Sequence, residues 1–238
     1  MKLVVPMAGE GRRFKEAGYD KPKPLINIDG KPMIAHVLQT LPASDSTVLV
    51  TRVDDAELHS EDWMLIKNLR PNTSVCNLKQ LTDGAVRTVL AVNDFVSLDT
   101  DEELIIANSD QLIEYDHVSF DTLRLEGYDG IIFTFWANHP KWSYVREENG
   151  LVVEVAEKRV ISERATCGVY YFRKSRDYVA GAYKMINENI RTNGEFYNAP
   201  VYNQIVRAGR VVSFDVLKMD GLGTPEDLEA YLNSRGST

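Results

Sequence analysis

The stretch Val4–Ile26 reads VVPMAGEGRRFKEAGYDKPKPLI, and it places a basic, glycine-containing loop directly behind a short apolar run. A strand followed by such a loop is typical of α/β sheets in which backbone N–H groups face a bound anion. The stretch is not a dinucleotide fingerprint, because Phe14 stands where the third glycine is required. It is not a Walker loop either, since no Gly-Lys-Ser/Thr occurs at the needed spacing. We therefore expect a phosphate-binding loop of another kind.

Two prolines flank Lys23 in the same stretch. Pro22 and Pro24 each fix their own φ angle and restrict the residue before them. We expect the segment to be stiff, so that it presents the Lys23 ammonium as a preorganised point charge.

Charge is distributed unevenly along the chain. The whole sequence has a net charge of −8, whereas residues 12–31 contain six basic and three acidic residues and so carry +3. An acidic protein is a poor match for nucleic acid or for an anionic membrane. A local positive patch on such a protein favours a small anionic ligand.

The apolar pattern predicts one α/β domain. The chain has 238 residues, of which 44% are hydrophobic, and this is enough for a substantial core. Apolar runs of strand length alternate with segments of helical periodicity, as in a Rossmann-like, mostly parallel sheet flanked by helices. The expected strands are 3–6, 47–51, 74–78, 104–107, 130–135, 151–156, 168–172 and 211–215, and the expected helices are 33–41, 85–95 and 225–232.

A β-rich region interrupts the alternating pattern. The dipeptide Asn149-Gly150 separates two strand-like runs, which predicts an antiparallel hairpin. No linker or internal repeat marks a second domain. We therefore expect this region, residues 138–205, to be an insertion into a single domain that spans residues 1–238.

Signals for export or membrane insertion are absent from the sequence. The apolar run at the N-terminus is too short for a signal peptide, and no window of about 18 apolar residues occurs. Cys76 and Cys167 lie far apart and lack the spacing of metal ligands. We expect a cytoplasmic protein with reduced cysteines.

Further motifs follow the opening stretch in a recognisable order. The pieces are PMAGEGRRF and KPKPL within 6–25, QLTDGAVRTVLAV at 80–92, IIANSDQ at 105–111, VVEVAEK at 152–158 and GLGTPEDLEAYL at 221–232. Together they resemble the nucleotide-sugar pyrophosphorylases, which are nucleotidyltransferases that join a nucleoside triphosphate to a sugar phosphate. The segments around 141–158 and 221–232 look most like the branch found in capsular polysaccharide and surface-glycan biosynthesis.

The resemblance implies the nucleotide-diphospho-sugar transferase type of fold, with Mg²⁺ as cofactor. It also implies a division of labour along the chain. Residues 1–137 would mainly bind the nucleoside triphosphate (NTP), 138–205 would form a β-rich acceptor-binding subdomain, and 206–238 would supply a closing strand and helix. The expected partners are an NTP, a phosphorylated small molecule and a second copy of the chain in a homodimer, and neither nucleic acid nor membrane is expected. The chain is expected to be a stand-alone catalytic domain.

The chemistry of nucleotidyl transfer suggests which side chains carry it. A phosphate oxygen of the acceptor attacks the α-phosphorus in line, and pyrophosphate leaves. Repulsion between two anionic reactants is the main obstacle, so positioning and positive charge should provide most of the catalysis. By the resemblance, Arg13 holds the departing phosphates, Lys23 neutralises the α-phosphate and Lys158 clamps the acceptor phosphate.

The resemblance also identifies residues that contact the nucleotide. Gln80 matches an amide that recognises the base, although an amide alone does not distinguish cytosine from uracil or thymine. Arg12 stands at a Ser/Thr position of the family loop, and it either contacts the triphosphate or points to solvent. The full set of expected nucleotide-binding residues is Met7, Ala8, Gly9, Gly11, Arg12, Gln80, Gly84, Ala85 and Ser109.

The acceptor pocket is expected to come from the middle of the chain. Its aromatic residues could stack on a sugar ring, surround a quaternary ammonium group or simply pack in the core. Glu157 would contact the acceptor or orient Lys158. The expected acceptor-binding residues are Tyr144, Glu157, Thr166, Gly168, Glu195, Tyr197 and Tyr202, with Trp142 and Ser143 beside them.

Asp110 and Asp220 are the expected magnesium ligands. Asp110 follows a predicted strand, at the edge where open α/β sheets bind ligands. Relatives carry a second aspartate in W-x-D-[IV]-G-T, but this chain has Gly221 at that position and Asp220 one residue earlier. Either Asp220 reaches the metal, or Asp110 acts with phosphates and water alone.

The sequence thus predicts a Mg²⁺-dependent nucleotidyltransferase that makes a nucleoside diphosphate sugar from an NTP, which is expected to be a pyrimidine nucleotide. One alternative is a cytidylyltransferase for a phosphorylated small molecule other than a sugar, similar to phosphocholine or phosphoglutamine. A glycosyltransferase of related fold and a nucleotide sensor without turnover are alternatives from other classes.

Overall fold

The computed structural model describes residues 1–52 and 60–235. The strands are β1 (Lys2–Pro6), β2 (Asn27–Ile28), β3 (Lys31–Pro32), β4 (Ser46–Arg52), β5 (Thr73–Leu78), β6 (Leu104–Ala107), β7 (Gln111–Glu114), β8 (Gly130–Trp136), β9 (Ser143–Glu148), β10 (Leu151–Glu157), β11 (Arg164–Phe172), β12 (Val211–Asp215) and β13 (Lys218–Gly221). The helices are α1 (Arg12–Glu16), α2 (Met33–Thr40), α3 (Ser60–Leu69), α4 (Ala85–Leu90), α5 (His117–Leu125), α6 (Ser175–Asn187), α7 (Tyr202–Ile205) and α8 (Pro225–Arg235).

A nine-stranded central sheet organises the molecule. Its main path runs β10-β9-β11-β6-β1-β4-β5, with β8 beside β11 and β12 beside β8. The pairs along β6-β1-β4-β5 are parallel, and β11 is antiparallel to both β6 and β8. The predicted α/β fold with a mostly parallel sheet flanked by helices is therefore confirmed. The β9–β10 hairpin from the β-rich region extends this same sheet instead of forming a separate one.

Apolar cores lie on both faces of the sheet. Leu3 and Val5 of β1 pack in one core with α2, whereas Val4 packs in the other with α4 and α6. Successive side chains of a strand point to opposite faces, so a strand buried on both sides is a continuous apolar run. This explains why LVV in β1 and LIIA in β6 are detectable from the sequence.

Several elements lie outside the sequence predictions. β7 and β13 pair only with each other, at residues 111–114 and 218–221, and neither is rich in β-branched residues. The predicted helix 85–95 ends at Leu90 and continues as a 3-10 turn, Ala91–Asp94. Helix α6 has buried residues at 178, 179, 182 and 185, a helical spacing present in the sequence that our prediction overlooked.

The sheet topology sets the position of two loops. β1 pairs in parallel with β6, so the carboxyl ends of both strands meet at the same edge. The glycine loop follows β1, and the segment 108–110 follows β6. Open α/β sheets bind ligands at this edge. Within the described residues, no helix is both long and apolar enough to span a membrane.

Candidate active site

The glycine loop after β1 packs directly against the proline-flanked lysine. Gly11 has φ +60°, and a Cβ atom there would lie 3.2 Å from the Cβ of Lys23. Phe14, on the following turn of α1, is 1% exposed and contacts Tyr19 edge to face at 5.2 Å. Phe14 therefore anchors the loop in the core, and glycine at position 11 permits the close approach to Lys23.

Lys23 and Asp110 form an ion pair at the ligand-binding edge of the sheet. The Lys23 Nζ donates to Asp110 Oδ2 at 2.6 Å, and both side chains are mostly buried. The backbone of Lys23 begins the 3-10 turn Lys23–Leu25, in which the N–H of Leu25 donates to the carbonyl of Pro22. The structure thus brings together two predicted residues from distant segments and holds the lysine on a short, buried turn.

A cleft of about 470 Å³ opens beside Asp110. It contains most of the residues predicted for the metal and acceptor ends of the site. The predicted residues that line it are Arg13, Ala85, Asp110, Trp142, Ser143, Glu157, Lys158, Thr166, Gly168 and Tyr197. We call this the acceptor cleft.

A second cleft, of about 490 Å³, lies under the glycine loop and shares Ala85 and Tyr197 with the acceptor cleft. We call it the nucleotide cleft. The predicted residues that line it are Ala8, Gly9, Gly11, Arg12, Gly84, Ala85, Glu195 and Tyr197. Glu195, predicted for the acceptor pocket, therefore lies on the nucleotide side.

Gly84 joins the two halves of the nucleotide cleft. Its φ is +127°, and a Cβ atom there would lie 2.4 Å from the backbone nitrogen of Phe196. The N–H of Val86 donates to the Phe196 carbonyl, and the N–H of Phe196 donates to the Asp83 carbonyl. The turn after β5 is thus bonded to the segment that carries Glu195 and Tyr197.

Lys158 is held by an aromatic residue from that segment. Its Nζ donates to the hydroxyl of Tyr197 at 2.5 Å and lies 4.5 Å from the ring centroid. Lys158 has φ +53°, a rare conformation for a lysine, and its N–H donates to the carbonyl of Trp142. The backbone at the end of β10 therefore turns to direct the ammonium into the cleft.

Glu157 supplies a half-buried carboxylate on the wall of the acceptor cleft. Burial raises the pKa of Glu157, although a hydrogen bond from Ser143 and the charge of Lys158 oppose this shift. A carboxyl of this kind accepts hydrogen bonds from hydroxyl or amine groups of a ligand.

Gly168 permits a close contact between β11 and the segment after β6. Its φ is +75°, and a Cβ atom there would lie 2.5 Å from Asn108 Nδ2. The N–H of Asn108 donates to the Gly168 carbonyl at 2.8 Å. The pairing of β11 with β8 is irregular between Thr166 and Tyr170, next to this glycine. The irregularity leaves Thr166 on the wall of the cleft.

The side chains of Tyr144 and Tyr202 lie in the interior and line neither cleft, which contradicts their expected place in the acceptor pocket. Both side chains are fully buried. The Tyr202 hydroxyl donates to the Tyr171 carbonyl at 2.6 Å, and its ring stacks on Phe172. The Tyr144 hydroxyl donates to the His139 carbonyl. Ring packing and a satisfied hydroxyl hold both residues in the interior.

Asp220 is likewise directed away from the cleft. Its carboxylate pairs with Lys218 on the same face of β13, at 2.8 Å. The next residue, Gly221, lines the cleft, and successive side chains of a strand face opposite sides. A Cβ atom at Gly221 would lie 3.3 Å from the Trp142 indole, so the indole uses the space beside this glycine. Asp220 therefore does not line the cleft in which it was expected to bind the metal.

Asp227 lines the acceptor cleft, whereas Asp220 does not. A Cβ atom at Gly223 would lie 3.3 Å from Asp110 Oδ2 and 3.8 Å from Asp227 Oδ2. Because residue 223 is glycine, this space beside the two carboxylates is open. Asp227 belongs to the first turn of α8, where its N–H donates to the Thr224 hydroxyl, and its Oδ1 accepts from Lys141 at 2.9 Å. Asp227 is not among the residues that the sequence predicted for the site.

The remaining residues predicted to bind the nucleotide differ in whether they line a cleft. Arg12 is exposed and pairs with Glu16 at 2.7 Å, at the rim of the nucleotide cleft. Met7 and Ser109 are buried, Gln80 is exposed, and these three do not line either cleft. The residues of the acceptor cleft that the sequence prediction did not include are Asn108, Gln111, Lys141, Tyr170, Asn193, Asn198, Ala199, Gly221, Gly223, Thr224 and Asp227.

The parallel sheet, the glycine loop and the lysine-rich cleft define the class of nucleotidyltransferase-like α/β proteins. Comparison with known families agrees, since residues 3–110 match the family described as "MobA-like NTP transferase domain". Residues 3–110 thus match an NTP transferase domain, and most of the chain is similar to a sugar nucleotidyltransferase. The predicted resemblance to nucleotide-sugar pyrophosphorylases is confirmed, whereas the capsule branch stays a prediction.

Three similar proteins illustrate the relationship. UTP–glucose-1-phosphate uridylyltransferase AglF of Haloferax volcanii is 24% identical over 95% of this chain and 93% of its own. The bifunctional protein GlmU of Lactococcus lactis is 26% identical over 90% of this chain, which spans only 46% of GlmU. The nucleoside-diphosphate-sugar pyrophosphorylase of Vibrio cholerae RC9 has the same fold, with a TM-score of 0.84, 23% identity and coverage of 97% and 99% of the two chains.

Proposed function

We propose that this protein transfers a nucleoside monophosphate from a pyrimidine NTP to a sugar phosphate and releases pyrophosphate. The observation that carries the proposal is the Lys23–Asp110 pair, which lies between the glycine loop and a cleft lined by Arg13 and Lys158. Two anionic reactants repel each other, and positive charge placed in advance at the reacting phosphates lowers this barrier.

The cationic residues have separate tasks in this proposal. Backbone N–H groups of the glycine loop bind the triphosphate, and Arg13 stabilises charge on the departing pyrophosphate. Lys23 neutralises the α-phosphate, because its segment packs against Gly11 of the loop that binds the triphosphate. Lys158 binds the acceptor phosphate from the opposite wall. The acceptor oxygen is already anionic, so no general base is required.

Asp110 and Asp227 fit a magnesium ion, and we infer that they hold it. The fit rests on the open space beside Gly223, which both carboxylates border. Within residues 1–52 and 60–235 there is no group of three His, Cys, Asp or Glu side chains that could hold a metal. Magnesium commonly binds one or two carboxylates and completes its shell with phosphates and water. When bound, it would neutralise phosphate charge next to the charge supplied by Lys23.

The relatives guide the choice of substrates to test. AglF is named for UTP and glucose 1-phosphate, so this pair is the first candidate. We further infer a cytoplasmic enzyme that serves surface-glycan synthesis, because both cysteines are free and buried and the motifs at 141–158 and 221–232 resemble that branch. The homodimer and the division into NTP-binding and acceptor-binding regions remain part of this proposal.

Pyrophosphate release tests the proposal directly. The protein is incubated with each of UTP, CTP and dTTP, Mg²⁺ and a panel that includes sugar 1-phosphates, phosphocholine and phosphoglutamine. We expect release with a pyrimidine NTP and a sugar 1-phosphate. Turnover of a nucleotide sugar alone would instead indicate a glycosyltransferase, and release only with a phosphorylated compound other than a sugar would overturn the sugar assignment.

A further inference from the structure

Asn198 is a buried amide on the wall of the acceptor cleft to which neither the motifs nor the proposed mechanism gives a role. It is 3% exposed, and its Oδ1 accepts a hydrogen bond from the Tyr178 hydroxyl at 2.9 Å. Its Nδ2 is buried and has no hydrogen-bond partner. Among the unpartnered buried side-chain atoms of the described residues, it alone belongs to a residue that lines this cleft.

Tyr178 fixes which end of the amide is left unpaired. The Tyr178 side chain is fully buried, and burial raises its pKa well above the ordinary value, so the phenol keeps its proton. A protonated phenol needs an acceptor, and in the amide only the oxygen is one. Oδ1 therefore faces Tyr178, and Nδ2 is the end of the amide that has no partner. A buried donor without a partner is unfavourable, and a ligand oxygen would relieve this cost.

The surroundings of Asn198 favour a ligand with several oxygen atoms. The same cleft carries amide and hydroxyl groups from Asn108, Gln111, Ser143 and Thr166. These groups suit the alternating donors and acceptors of a hydroxylated ring.

The aromatic residues of the cleft are a poor match for a quaternary ammonium group. Lys141 Nζ lies 4.6 Å from the centroid of a Trp142 ring, and Lys158 Nζ lies 4.5 Å from that of Tyr197. A ring face that already holds a lysine ammonium repels a second cation. With Tyr144 and Tyr202 in the interior, the aromatic cage considered from the sequence is not formed.

We infer that Asn198 is a specificity-determining residue that donates from Nδ2 to a hydroxyl oxygen of a sugar phosphate acceptor. Tyr178 is a positioning residue, because it orients the amide without touching the ligand. The inference rests on the proposed function and deepens it, since it selects polyhydroxylated acceptors over those with a quaternary ammonium group.

The test compares two variants that differ only at residue 198. In the double variant Asn198→Leu/Tyr178→Phe both partners become apolar, so no polar group is left unpaired, and Tyr178→Phe alone retains the amide. We expect kcat/KM for the sugar phosphate to be about ten-fold lower in the double variant than in Tyr178→Phe, with the KM for NTP unchanged. Asn77→Ala, at an exposed position of β5, is the surface control.

Monodeoxy acceptors identify the hydrogen bond itself. On the one analogue that lacks the hydroxyl bound by Nδ2, the two variants should have equal kcat/KM values, whereas the ten-fold difference persists on the others. If the two variants have equal kcat/KM values on every acceptor, or if no analogue removes the difference between them, Asn198 is only structural. Preference of the wild type for phosphocholine would also overturn the inference while leaving nucleotidyl transfer intact.

Binding separates failure of this inference from failure of the proposed function. If no NTP and acceptor pair releases pyrophosphate, calorimetry with UDP-glucose replaces kinetics. Weaker binding by the double variant than by Tyr178→Phe would support the role of Asn198 in a protein that does not catalyse the transfer. Equal binding, or no binding by the wild type, would overturn it.

Discussion

Lys23 is constrained twice, by the prolines that flank its backbone and by the carboxylate that holds its ammonium. A long lysine side chain ordinarily loses rotamer freedom when it binds a ligand. Here part of that loss has already occurred in the folded protein. A preorganised charge of this kind acts on the reacting phosphates without reorganisation during the reaction.

The first prediction follows from this placement. Lys23→Ala should lower kcat by about 10²–10³-fold, the range expected when one preorganised transition-state contact is lost. Asp110→Asn should abolish transfer altogether, with little loss of fold. Lys21→Ala is the matched control, because Lys21 lies two residues earlier and pairs with Asp62. Steady-state pyrophosphate release provides kcat, and near-wild-type kcat in Lys23→Ala would refute the mechanism.

The second prediction distinguishes two aspartates. Asp227→Asn should weaken binding of Mn²⁺, used as a probe for Mg²⁺, by about ten-fold or more, because it removes a carboxylate that borders the site. Asp220→Asn should leave binding unchanged, since Asp220 pairs with Lys218 on the other face of β13. Electron paramagnetic resonance of Mn²⁺ measures binding without turnover. Weaker binding in Asp220→Asn alone would restore the expectation drawn from the sequence.

The third prediction concerns the pH dependence of stability. Burial raises the pKa of Glu157 above its ordinary value of 4.5, so the folded state binds the proton more tightly than the unfolded state. The stability contributed by this proton is fully present below pH 4.5 and is lost as the pH rises through the folded-state pKa. Glu157→Gln should therefore gain stability relative to wild type as the pH rises from 4 to 8.

Thermal melting at several pH values checks this prediction. Glu154→Gln is the matched control on the same strand, because interactions with Arg159 and Arg146 lower the pKa of Glu154 and so reverse the sign. A constant Tm difference between Glu157→Gln and wild type at all pH values would contradict the assignment.

At the scale of elements, close backbone contacts decide how the two halves of the nucleotide cleft meet. The turn before α4 contacts the 195–197 segment through Gly84, where a side chain would overlap the backbone of Phe196. The glycine was recognised in the sequence as part of a motif. The backbone segment that it contacts was not, because that partner lies more than a hundred residues away.

The fourth prediction tests this contact. Gly84→Ala should lower Tm by roughly 5–10 °C and raise the KM for NTP, because both positive φ and a backbone overlap oppose a side chain. Gly18→Ala is the control: its φ is +85°, but no atom lies within 4 Å of the Cβ position. Its Tm should fall by only about 2–4 °C. Equal losses in the two variants would show that the contact with Phe196 is unimportant.

Some strands could be predicted from the sequence and others could not. β1, β4 and β6 are apolar runs buried on both faces, so the pattern of each strand is visible in its own residues. β7 and β13 are stabilised by pairing with each other across a separation of about one hundred residues. Local propensity is weak in both, and only the tertiary contact makes them strands.

At the scale of the whole molecule, one sheet serves both halves of the proposed reaction. The parallel strands carry the glycine loop and Asp110, and the antiparallel strands β9, β10 and β11 carry the acceptor wall. The clefts meet at Ala85 and Tyr197, so both substrates can be bound side by side. Helix α8 completes the site by placing Asp227 beside Asp110.

The sequence by itself determined the sheet, the glycine loop after β1 and the choice of Lys23, Asp110 and Lys158, of which Asp110 and Lys158 line one cleft and Lys23 pairs with Asp110. Each of these depends on local patterns, which are apolar runs, glycines and prolines at short spacing. Only the tertiary structure decided that Asp227 lines the cleft and Asp220 does not, that Tyr144 and Tyr202 pack in the core, and that Asn198 has an unpaired donor. Those outcomes depend on which face of an element meets a segment far away in the chain, and no local pattern specifies that contact.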